Sequence, residues 1–89
     1  MKMDIYEQLG KRIIYLRKEK KMSQLDLALE ADINKNYMSD LERGMRNPTL
    51  KILSRISKAL DVSLSSLLQG IEDYTFEEFI ETVMNKKIK

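Results

Sequence analysis

The chain has 89 residues, with 16 Lys and Arg against 14 Asp and Glu, and neither Cys nor His. A chain of that length makes one small domain, burying about 60–65% of its unfolded surface, so its core must be economical. The missing Cys and His exclude disulfides and thiolate metal sites, and remove the commonest general base and metal ligand.

Binding rather than catalysis is therefore expected, with no enzyme activity, no metal and no cofactor. No apolar run approaches the ~18 residues of a membrane helix, and no signal-peptide core is present, so a cytoplasmic placement is expected. The net charge of +2 is unevenly placed. Residues 1–23 hold seven Lys/Arg against three Asp/Glu, whereas residues 71–89 hold three against five. This is a modest basic bias over the first 70 residues, so any nucleic-acid affinity must come from geometry.

Gly is scarce, Pro occurs once, and apolar residues recur at helical spacing, so the fold class is all-α. A first helix is expected over 4–20, with Ile5, Leu9, Ile13 and Leu16 on one stripe. Lys18, Lys20 and Lys21 crowd its end, where positive charge suits the helix dipole; a solvated helix end is their simplest reading. Ser23 is a good N-cap for a second helix over 24–31, with Leu27, Ala28 and Ala31 facing inward. Asp32 follows, where the turn needs a residue that tolerates the left-handed region. Asn34 caps a third helix over 35–43, and Gly44 ends it. "NPT" separates it from a fourth helix, capped by Thr49, with Leu50, Leu53, Ile56, Ser57 and Leu60 as its stripe. A short fifth helix over 63–69 carries Leu64, Leu67 and Leu68, and Gly70 stops it. In the remainder, Thr75-x-x-Glu78 has capping-box spacing. Phe76, Phe79, Ile80, Val83 and Met84 line a sixth helix that Lys86 and Lys87 close. The expected organisation is a five-helix domain over 1–70 and an amphipathic helix within 71–89.

The third helix is the unusual element. Met38 and Leu41 point one way, while Asn36, Ser39, Asp40 and Arg43 share an arc of about 100° on the other side. A polar helix face alone is ordinary solvation, but this one follows the second helix after about three residues, the spacing of a helix-turn-helix. Asn suits adenine edges, Lys and Arg suit guanine or phosphate, and Ser suits either.

Residues 22–68, "MSQLDLALEADINKNYMSDLERGMRNPTLKILSRISKALDVSLSSLL", resemble the DNA-binding domain of phage repressors and Cro, the xenobiotic-response-element family of bacterial regulators. The motifs are "SQ" opening the second helix, "L-A" within it, "S-x-x-E-R-G" closing the third, "NP-x-L" and "KALDVS". Together they are specific, though each alone is weak. The size is also loosely similar to restriction-modification controller proteins. The resemblance implies a lambda-repressor-like domain that binds a duplex operator as a homodimer. It places Lys35, Asn36, Ser39 and Asp40 at base edges, and Gln24, Tyr37, Arg43 and Arg46 at the DNA backbone. It implies a partly buried ion pair between Arg17 and Glu42. It also offers Leu64, Leu67, Leu68 and Ile71 as a dimer surface, beside the tail stripe of Phe76, Phe79, Ile80 and Val83.

Three departures from the family pattern stand out. Asp32 replaces a usual Gly. Asp40 puts a carboxylate on the face meant for DNA, where it can accept from cytosine or repel phosphate. Leu25 and Leu29 replace polar residues; they are expected to be covered by the tail helix or a second subunit. The acidic patch through which some phage repressors touch RNA polymerase is not reproduced. Polymerase and a neighbour-encoded protein stay open as partners, and the alternative function is an antitoxin or protein-interaction module on the same fold.

Overall fold

Six helices follow in order: α1 (Ile5–Glu19), α2 (Gln24–Glu30), α3 (Lys35–Glu42), α4 (Leu50–Ala59), α5 (Leu64–Leu67) and α6 (Phe76–Ile88). The structure is a computed structural model describing residues 3–88, apart from the side chains of residues 76, 87 and 88. Among the described residues there is no strand, and the fold is all-helical.

Each helix starts on a local cap. Asp4 accepts from the Tyr6 amide at 2.7 Å, Ser23 from Asp26 at 2.9 Å, and Asn34 from Asn36 at 2.7 Å. Thr49, Ser63 and Thr75 accept from Ile52, Ser66 and Glu78 at 3.1, 3.0 and 3.1 Å. At α2 the cap is reciprocal, because the Asp26 carboxylate also accepts from the Ser23 amide at 2.9 Å.

The first four helices end alike. The amides of Met22, Ile33, Met45 and Val62 each donate to a carbonyl five residues back, on Arg17, Ala28, Asp40 and Ser57. The residue before each donor lies in the left-handed region: Lys21, Asp32, Gly44 and Asp61, at φ 57°, 55°, 79° and 57°. These are Schellman turns, and the φ of Asp32 is the one its turn demands. Gly44 has a second reason to be glycine, since an added Cβ would lie 3.0 Å from the Glu7 backbone.

The core joins Leu9 and Ile13 of α1, Leu27, Ala28 and Ala31 at α2, Met38 and Leu41 of α3, Ile56 and Leu60 at α4, and Leu67 of α5. Gly10 lets α1 lie directly on α3, where a Cβ would come within 2.3 Å of the Glu42 carbonyl oxygen. Long polar side chains tie the remaining elements. Arg12 donates to the Ser66 carbonyl at 2.7 Å. Gln8 exchanges two hydrogen bonds with the Glu72 backbone, at 2.9 and 3.0 Å. Arg55 donates to the carbonyls of Ala31 and Asp32, bracing the turn between α2 and α3.

Three expectations change. Leu67 is fully buried and belongs to the core, so it cannot serve a dimer surface, whereas Leu64, Leu68 and Ile71 pack around it half-buried. Leu50, expected on the inward stripe of α4, is exposed, because as the first residue of the helix it stands at the rim of the core. The tail helix does not cover Leu25 and Leu29, which stay 47% and 71% exposed. Phe79, Ile80 and Met84 of α6 are exposed too, Val83 is half-buried, and the side chain of Phe76 lies outside the described residues. Tyr74 stacks on Phe79 at 5.8 Å between ring centroids. α6 contributes nothing to the buried core among the described residues.

Candidate nucleic-acid interface

α2 and α3 are joined by residues 31–34, and Met38 and Leu41 anchor the inner side of α3 in the core. That anchoring fixes which side of α3 faces outward. Lys35 and Asn36 are exposed in its first turn, and neither side chain makes a hydrogen bond among the described residues. Ser39 and Asp40 are half-exposed one turn later, and Arg43 and Arg46 are exposed beyond them. Tyr37 lies half-buried at the edge of this face.

Behind the face sits a buried hinge of charge. Arg17 on α1 donates through Nε and Nη2 to both oxygens of Glu42, at 2.7 and 3.0 Å. Their side chains are 13% and 3% exposed. The Glu42 hydrogen bond, opposed in part by burial, raises the Arg17 pKa above its ordinary value. Arg17 Nη1 also holds the Met22 carbonyl at 3.1 Å. Gln24, at the start of α2, donates to Glu42 Oε1 at 2.9 Å. One carboxylate thus links α1, α2 and α3, and Gln24 stands half-buried at that junction.

The outer side chains are linked among themselves. Arg43 donates to Asp40 through Nη2 and to Ser39 Oγ through Nη1, the latter at 2.9 Å. Arg46 donates to Asp40 Oδ2 at 3.1 and 3.3 Å, and its guanidinium lies 5.1 Å from the Tyr37 ring centroid. The Asp40–Arg43 pair was readable from i,i+3 spacing. The Arg46 contact was not, since it needs the left-handed turn at Gly44 to fold the chain back onto α3. Gly10 was also missed as part of the site's support. Its signal was available: a Gly inside a helical pattern costs about 1 kcal/mol relative to Ala, which points to a packing reason for its presence.

Comparison with known proteins places this arrangement. A helix-turn-helix family model matches residues 13–67, more than half of the chain, and the chain belongs to that family. The immunity repressor of Bacillus phage phi105 is 37% identical over 73 residues, which cover 82% of this chain and 50% of the repressor. The chain thus spans about half the length of that relative. The crystal structure of the restriction-modification controller protein C.AhdI from Aeromonas hydrophila superposes with a TM-score of 0.68. It is 32% identical, over 70% of this chain and 94% of that one. A crystal structure of the biofilm master regulator SinR in complex with DNA has a TM-score of 0.65 and 42% identity, over 68% of this chain and 98% of SinR's. Among the described residues no helix is long and apolar enough to cross a membrane.

Proposed function

We propose that this chain is a sequence-specific duplex-DNA-binding transcriptional regulator, acting as a homodimer on a palindromic or near-palindromic operator. One observation carries the reading: the second helix of the helix-turn-helix presents Lys35, Asn36 and Ser39 outward from its first two turns while Met38 and Leu41 hold it in the core. The first turns of a recognition helix are the part that meets base edges in the major groove. In this reading Lys35, Asn36 and Ser39 read bases, and Gln24, Tyr37, Arg43 and Arg46 set the domain on the phosphates. The likeness to a phage repressor and to SinR, solved with DNA, supports repression by occupancy.

A homodimer follows from affinity. One domain of this size buries about 600–1,000 Å² on DNA, and a two-fold mate one helical turn away, about 34 Å, supplies the rest. The test is titration onto the DNA upstream of the chain's own gene, with footprinting at two salt concentrations. Two symmetric protected halves that weaken steeply with salt are expected. Weak, sequence-blind binding alone would overturn the reading and move the function to Leu25, Leu29 and the tail, as a protein-interaction surface.

A further inference from the structure

We propose that Asp40 clamps Arg43 and Arg46, keeping both from roaming over phosphates, and so sets how well the domain separates its operator from bulk DNA. The inference rests on the DNA-binding reading above.

Each carboxylate oxygen of Asp40 takes one guanidinium, Arg43 on Oδ1 and Arg46 on Oδ2. The arginine side chains are 61% and 49% exposed, so a phosphate can reach them, and the carboxylate between them is 27% exposed. Each arginine also has a second fixed partner. Ser39 Oγ accepts from Arg43 at 2.9 Å, and the Tyr37 ring lies under Arg46. Both guanidinium forks are therefore aimed before DNA arrives, with only their remaining N–H groups available.

This matters differently for two kinds of DNA. Non-specific binding is almost wholly a phosphate term, in which a cation gains by swinging toward any phosphate in reach. The clamp opposes that swing, because an arginine must leave the Asp40 carboxylate before it can follow a phosphate. At the operator the base contacts of Lys35 and Asn36 fix the register, so prearranged arginines meet phosphates at set places with little ordering cost. Asp40 is thus a positioning residue that lowers affinity for wrong sequences more than for the right one by restraining the two arginines.

The experiment compares wild type, Asp40→Asn, Arg43→Ala/Arg46→Ala and the triple variant. Each is titrated by anisotropy, over a range of salt, onto the footprinted duplex and onto a scrambled duplex of the same composition. Asp40→Asn should bind the scrambled duplex more tightly, by up to about fivefold per released arginine. Its salt slope should steepen by about 0.9 for each arginine that reaches phosphate. The ratio of footprinted to scrambled affinity should fall, with an unchanged thermal melt. In the arginine-free background Asp40→Asn should change neither duplex. Three results would overturn the clamp. One is no gain on the scrambled duplex. Another is a gain that persists without the arginines, which is plain charge repulsion. The last is a loss confined to one base pair with the slope unchanged, which makes Asp40 a direct reader of cytosine. A wild type with no preference between the duplexes defeats the DNA-regulator reading itself; a selective wild type matched by Asp40→Asn defeats only the clamp.

Discussion

At the scale of single residues, α3 divides its side chains by whether the protein has already engaged them. Lys35 and Asn36 make no side-chain hydrogen bond among the described residues, so their donors and acceptors are free for base edges. Asn36→Ala should relax specificity at one or two base positions, each by about 1–3 kcal/mol, measured by affinity across a set of single-base operator variants. An unchanged preference would remove Asn36 from the reading face. Glu42 is the opposite case, fully engaged by Arg17 and Gln24. Removing Arg17 leaves a carboxylate that is 3% exposed without its cation. Arg17→Ala should lower unfolding free energy by about 3–5 kcal/mol in urea titration. Its loss of DNA binding should follow the unfolded fraction, and a folded Arg17→Ala that cannot bind would instead put Arg17 on the DNA.

At the scale of elements, the helix beginnings were legible and the helix ends less so. Ser23, Asn34 and Thr49 are caps because a short side-chain oxygen reaches an amide two or three residues on, a wholly local geometry. The ends depend on left-handed residues, and Lys21 as a residue type does not announce that conformation, while Asp61 only tolerates it. It is imposed there by the carbonyl five residues back and by burial of the apolar residue that follows, Met22 or Val62. The α2 cap makes a pH prediction. The Ser23 amide and hydroxyl hold the Asp26 carboxyl below its ordinary value of 3.8. A depressed folded pKa means the unfolded chain binds the proton more readily. The stabilisation is therefore complete above that ordinary value and fades as the pH falls through the lower folded one. Asp26→Asn should lower the urea midpoint at neutral pH, and the gap from wild type should shrink below about pH 4.

At the scale of the whole molecule, α1–α5 share a core to which α6 adds nothing among the described residues. α6 carries exposed Phe79, Ile80 and Met84, with Glu77, Glu78 and Glu81 toward its start and Lys86 near its end. Antiparallel pairing with a second copy would bury the apolar residues and set the acidic half of each helix against the basic end of the other. With α6 as the interface of the proposed homodimer, Ile80→Glu should sediment as a monomer where the unsubstituted chain sediments as a dimer, and should weaken operator binding. The melt of the α1–α5 body should be unchanged. A retained dimer would assign the interface to Leu64, Leu68 and Ile71, half-buried around α5.

By itself the sequence determined six helices, most of their caps, the inner stripes of α1, α2 and α3 and the polar arc of α3, and its motifs carried the resemblance to the repressor family. These are matters of spacing along one helix or of a few neighbouring residues, and such geometry is set by the local backbone. The tertiary structure decided the rest. It drew Leu67 into the core and left Leu25, Leu29 and Leu50 outside it, since an apolar residue shows its helix face but not what packs there. It made Gly10 the point where α1 meets α3, and it brought Arg46 back over Asp40 and Tyr37 through the turn at Gly44. Those contacts join residues through the packing of whole helices and the reversal of the chain between them, and no periodicity within a single helix encodes either.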